Sequence, residues 1–241
     1  ARTMLGVATN ATTDASWDEM LAYGTTAVGQ TFNLSRQGTT SNVNVGVNGT
    51  DATSTANEYA NGVPVLHTGI YDGANILARA FGNQVASTAN TPNTTLNTGS
   101  IGAPATVASS YWDGTIAETI IYASDISGTD LQKVETYLAI KYGMTLDQTS
   151  AQNYLAGDGT TVLWDATANA TYSNDIAGIY QEDSQGLDQT SSKSVNVDAV
   201  VTIGSPASMD DGEGLLWGNN DGNGTSWTTT GAPGGYQRIA R

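Results

Sequence analysis

Side-chain oxygens gather in three short stretches of this sequence, in the pattern a hard cation needs. Glu182-Asp183 is followed by Asp188, and Asp210-Asp211-Gly212-Glu213 packs three carboxylates into four residues. Asn219-Asn220-Asp221-Gly222-Asn223 offers side-chain oxygens around a glycine that permits a sharp turn, though it lacks the aspartates and final glutamate of an EF-hand loop. Carboxylates this close repel one another unless a cation bridges them or water screens them. Calcium, which takes oxygen ligands, is therefore the expected ion. The candidate ligands are Glu182, Asp183, Asp188, Asp210, Asp211 and Asp221, with no single position fixed. The alternative is a set of solvated acidic turns.

Aromatic side chains beside polar loops are the second kind of candidate. An indole face can stack on the apolar face of a sugar ring while neighbouring amides and carboxylates bond its hydroxyls. Trp217, Asn219 and Trp227 lie in such a setting and are the expected ligand-binding residues. Trp112 and Trp164 adjoin strand-like runs, and packing is the better reading of both.

Residues for catalysis are scarce. The one histidine, His67, sits within an alternating strand-like run with no partner fixed by spacing, and reads as a sheet residue. Glu118 stands alone in its strand, without the paired glutamates that straddle a glycosidic bond. Asp158-Gly159-Thr160-Thr161 lacks the Gly-Lys-Ser/Thr core of a phosphate-binding loop. The expectation is that the chain is not an enzyme.

Whatever positions these groups is mostly strand. Hydrophobic residues make up 39% of the 241 and charged residues 13%, below the usual shares of about 45–50% and about 25%. Thr, Ser, Asn and Gly fill the difference, as many short strands and wide loops require. Strands are expected at Thr3–Val7, Thr31–Leu34, Val43–Val47, Val63–Tyr71, Ile76–Phe81 and Thr115–Tyr122. Asn48-Gly49 marks a hairpin turn, and residues 86–100 read as a polar loop. One helix is expected from Ser127 to Gly143, with Leu131, Val134, Leu138 and Tyr142 as an apolar stripe lying on the preceding sheet. Beyond Leu146 further strands are expected near Thr161–Trp164, Ile176–Tyr180, Val195–Ile203 and Leu215–Trp217.

The net charge of −15 repels phosphate backbones and anionic membranes, so nucleic acid is not an expected partner. No apolar run reaches the length of a membrane-spanning helix, and no insertion into a membrane is expected. With no cysteine, a secreted chain of this kind depends on core size, on metal, or on both.

Trp112-Asp113-Gly114-Thr115-Ile116-Ala117-Glu118, Ile120-Ile121-Tyr122 and Tyr137-Leu138-Ala139-Ile140-Lys141-Tyr142-Gly143 resemble the closing strand and helix of bacterial concanavalin A-like (laminin G-like) domains. Val65–Ile70 and Phe81-Gly82-Asn83-Gln84 look like the paired strands before them, with the usual asparagine-glycine order reversed. Leu163-Trp164-Asp165, Tyr172–Ile179, Ser191-Ser192-Lys193-Ser194 and Leu216-Trp217-Gly218-Asn219 resemble a β-rich domain that follows it in large bacterial surface adhesins. The resemblance implies an all-β chain: a concanavalin A-like jelly-roll sandwich with one short helix over 1–146, its opening strands missing, then a second, incomplete β-rich domain over 147–241. The chain is thus expected to be a piece of a longer protein.

The implied function is an extracellular, cell-surface adhesion module that binds carbohydrate or peptide with calcium's help. The alternative is a structural spacer or filament-forming subunit whose exposed strand edges pair with copies of itself.

Overall fold

The computed structural model describes residues 1–11, 17–95, 98–106, 109–205 and 207–221, and the backbone of 227–228 and 238–239. The chain divides into two compact units, Ala1–Ser127 and Gly128–Arg241.

Among its described residues the first unit holds ten strands: β1 (Arg2–Asn10), β2 (Asp18–Gly24), β3 (Thr31–Arg36), β4 (Val43–Gly46), β5 (Ala52–Thr53), β6 (Pro64–Tyr71), β7 (Asn75–Ala80), β8 (Asn83–Ala89), β9 (Gly99–Ile101) and β10 (Gly114–Tyr122). They form two five-stranded antiparallel sheets, ordered β10-β1-β6-β7-β8 and β5-β4-β3-β2-β9. This is the all-β sandwich that the alternating runs require, since each strand has one apolar face to cover. Val43, Val45 and Val47 point inward with Phe32, Leu34 and Met20 of their own sheet and Met4, Ala8, Val65, Ile76 and Ala78 of the other. Trp112 joins this core at 9% exposure, its indole N–H donating to the Thr9 carbonyl. His67 is a buried β6 residue, its Nδ1 3.0 Å from the Tyr59 hydroxyl.

Residues 86–100 are less of a loop than their composition implies. β8 pairs with β7 through a two-residue turn in which Phe81 and Gly82 both have positive φ, 49° and 80°. Two left-handed residues in succession give the twist a tight hairpin needs, and this explains the reversed Gly82-Asn83 order: the glycine is needed at the second turn position, and Asn83 already begins β8. β9 pairs with β2. Polar Thr, Ser and Asn side chains hid both strands because each lies at a sheet edge, where one flank needs no apolar cover.

The second unit contains the helix α1 (Gly128–Tyr142), which packs against strands of this unit. The division into compact units falls at Ser127/Gly128, before α1, where the sequence reading placed a boundary at 146/147. Its buried residues are Leu131, Glu135, Thr136, Leu138, Ala139 and Ile140, while Val134 and Tyr142 are only half-buried. The face is rotated from the apolar stripe because Thr136 accepts the Leu155 N–H and turns inward with it. Gly143 closes the helix in the left-handed conformation, φ 63°, and the Met144 N–H reaches back to Ala139 O.

Following strands are β11 (Tyr154–Leu155), β12 (Val162–Trp164), β13 (Asn174–Glu182), β14 (Leu187–Gln189), β15 (Ser191–Lys193), β16 (Thr202–Gly204), β17 (Gly214–Asn219), β18 (Trp227–Thr228) and β19 (Arg238–Ile239). α1 contacts β11, β13, β14 and β15. A three-stranded sheet, β14-β13-β17, is joined by three two-stranded ones. The expected strand at Val195–Ile203 shrinks to its end. Residues 195–201 are not strand, because Val197, Val200 and Val201 are exposed and an Asn196-to-Ala199 turn interrupts the run. Among the described residues no helix is long and apolar enough to cross a membrane.

Candidate functional site

Alternation along β3 and β4 sends one set of side chains into the sandwich and the opposite set outward. The outward set is Thr31, Asn33 and Ser35 on β3, and Asn44 and Gly46 on β4, with Glu19 on β2 in line with them. The register places Glu19 opposite Ser35, Ser35 opposite Asn44, and Asn33 opposite Gly46. This polar patch floors a cleft of about 370 Å³, walled by Trp17, Thr26, Asn48, Asp51 and Ser110.

The floor is a connected hydrogen-bond network. The Gly46 N–H and the Ser35 hydroxyl donate to Asn33 Oδ1 at 3.1 and 3.3 Å. Asn44 Nδ2 donates to Ser35 Oγ at 3.0 Å, and the Thr53 hydroxyl donates to Asn44 Oδ1 at 2.5 Å. Such a network fixes the orientation of each amide before any ligand arrives. Gly46 is required there: a Cβ at this position would stand 2.3 Å from Asn33 Oδ1.

Two carboxylates face the cleft. Asp51 Oδ1 accepts from the Val47 and Gly49 N–H groups, at 2.8 and 3.3 Å, holding the turn after β4. Asn48 occupies that turn with φ 55°, as the Asn-Gly pair predicts, and its amide donates to Thr26 O. Glu19 is different. Burial pushes its carboxyl up to about 7 and the Asp51 charge adds to the rise, against an opposing hydrogen bond from Asn33. Trp17, in the cleft wall, is 39% exposed, and the Tyr111 backbone bridges to Glu19.

None of these groups was marked by sequence. The signal was present in the polar residues interleaved with Val43, Val45 and Val47, but an alternating strand looks the same whether its polar face meets bulk water or lines a cleft. Burial separates the two cases: Asn44 is 1% exposed and Asn33 7%.

The residues that sequence did mark all belong to the second unit. Asn219 is committed within the fold, its amide donating to the buried Asp175 carboxylate at 2.6 Å while Asn196 donates to the other oxygen at 2.7 Å. Trp217 is half-buried on β17, opposite Ala177. Trp227 begins β18, and its side chain lies outside the described residues. Trp217 and Asn219 lie two positions apart on β17. Trp164 is buried at 7%, as a packing residue should be.

The expected calcium ligands scatter. Glu182 turns inward, at 8% exposure, and accepts the Gly157 N–H at 2.7 Å. Asp183 and Asp211 do meet, but through the Asp183 backbone N–H donating to the Asp211 carboxylate at 2.8 Å. The Asp210 N–H is bonded to Glu213, Asp188 sits exposed on β14 opposite Gln181, and Asp221 follows β17. Among the described residues no three His, Cys, Asp or Glu side chains come together in a way that could hold a metal ion. Backbone N–H groups already bond to one oxygen each of Glu182, Asp211 and Glu213.

Residues 130–241 match a family model described as "Domain of unknown function (DUF8202)", a match confined to the second unit. No curated protein matches the chain. Among solved structures the chain is similar to the mouse laminin alpha1 chain, domains LG4-5, with 12% sequence identity and a TM-score of 0.40. That likeness covers 50% of this chain and 34% of the laminin chain, so this chain spans about a third of the length of its match.

Proposed function

We propose that the first unit is a non-catalytic carbohydrate-recognition module of an extracellular surface protein, with the cleft over β2, β3 and β4 as its binding site. The observation that carries the reading is the cleft floor, where amide and hydroxyl groups of adjacent strands are held in fixed orientation beside an exposed indole. A sugar hydroxyl is both donor and acceptor, and Asn, Ser and Thr side chains answer it in both senses. The ring's apolar face meets the Trp17 indole. The volume falls within the roughly 300–1,000 Å³ range of ligand clefts.

A glycan array probed with the full chain, with and without chelator, tests the proposal. The expected result is binding that Trp17→Ala weakens by about tenfold or more, as loss of an anchoring aromatic does. Retention of the same glycans by Trp17→Ala would remove the cleft from the account. Calcium assistance belongs to the same proposal but rests on the net charge of −15, not on a placed site.

One observation favours a second reading. A carboxyl raised toward neutrality beside a second carboxylate is the arrangement of acid-catalysed glycoside cleavage. Glu19 would then protonate the leaving oxygen, with Asp51 as its partner. Against this, Asp51 is engaged as a turn acceptor. Release of reducing ends from a bound glycan, lost in Glu19→Gln, would establish the second reading over the first.

A further inference from the structure

The cleft combines two carboxylates with no compensating cation. Among the described residues its lining contains Glu19 and Asp51 but no lysine, arginine or histidine. The nearest guanidinium on the same strands, Arg36, is turned to the opposite face, where it is buried against Asp18 at 2.6 Å. Among the described residues the titratable group that acts on Glu19 is Asp51, from the turn after β4, and it supplies no positive charge. A carboxylate partly removed from water, beside a second one, is stabilised most by a ligand that brings a cation.

We infer that the ligand of this cleft is an amino sugar, a pyranose whose free protonated amine sits between Glu19 and Asp51 while its ring lies against Trp17 and its hydroxyls meet the Asn33–Asn44 floor. The inference rests on the carbohydrate reading of the cleft and narrows it. The ammonium supplies the charge that the lining lacks, and the cleft discriminates against uronates and sulfated sugars by like-charge repulsion. An N-acetylated ring loses the positive charge and leaves the two carboxylates unanswered.

Calorimetric titration of the full chain with a glucosamine oligomer, its N-acetylated counterpart and the matching glucose oligomer, at 0.15 M salt, tests this. The free-amine oligomer is expected to bind about tenfold or more tightly than either of the others. Glu19→Gln is expected to bring that ratio toward one, while Asp125→Asn, an exposed carboxylate outside the cleft lining, leaves it unchanged. Equal or tighter binding of the uncharged oligomers would overturn the inference and leave the cleft reading standing. A preference that survives Glu19→Gln and Asp51→Asn would assign it to the net charge of the chain, and would also overturn the inference. Binding of none of the three would count against both.

Discussion

Glu19 and His67 are both buried titratable groups, and their burial has opposite consequences with pH. The folded chain keeps the Glu19 proton up to about pH 7, whereas its ordinary value is 4.5. Between those values the folded state binds more protons than the unfolded one, so stability falls as pH rises from 4.5 to 7 and is then level. Glu19→Gln should therefore gain stability relative to the parent at pH 8 and little at pH 4, as read by urea unfolding at both. For His67, burial lowers the imidazole to about 3 from 6.5. Here the unfolded chain takes up the extra proton, so stability is fully present above 6.5 and is lost as pH falls toward 3. The His67 ring signals in an NMR titration should stay flat from pH 8 to 4. A midpoint near 6.5 in the folded chain would show that the ring is not sealed in the core. The low value follows from the surroundings: Nδ1 meets the Tyr59 hydroxyl, and Nε2 has no hydrogen-bond partner among the described residues.

At the scale of elements, two glycines mark where the fold leaves no room. Gly46→Ala places a methyl against Asn33 and should cost about 1–3 kcal/mol, weakening glycan binding in parallel. Gly143→Ala sets a left-handed residue against the Lys193 carbonyl and should cost a similar ~1–3 kcal/mol. That loss belongs to the second unit, so thermal unfolding should show it while binding in the cleft persists. Elements with one apolar face were legible in the sequence: β3, β4, β6, β7, β10 and α1 follow from period-two or helical spacing and the Gly143 cap. β8 and β9, made of Thr, Ser and Asn at sheet edges, were not. β2, the strand that carries Glu19, was missed as well, because Asp18 and Glu19 open it and disguise it as a loop. The cleft was illegible for a further reason. Its residues come from β2, β3, β4 and the turn after it, and only the register between strands brings Glu19, Ser35 and Asn44 into one row.

For the molecule as a whole, the division at Ser127/Gly128 sets what can be separated. Residues 1–127 contain both sheets of the sandwich and every residue of the cleft, and should bind the same glycans without the second unit. Loss of binding on that truncation would show that the cleft depends on residues beyond 127. If the acidic loops of the second unit take calcium, chelation should lower its melting temperature, because an ion that binds only the folded state stabilises it. An unchanged melting curve in chelator would remove calcium from the account.

The strand that starts the first sheet carries a consequence in time. β1 lies between β6 and β10, and its residue Thr3 pairs with Tyr122. β1 must therefore wait for β10 before its second edge is covered. Contacts this distant along the chain slow the search for the native pairing. During synthesis β1 and β6 would meet first and present a bare edge to other chains until β10 leaves the ribosome. The molecule's exposure to misassembly is thus greatest in the interval between residue 71 and residue 122, and a chaperone that shields strand edges would act there.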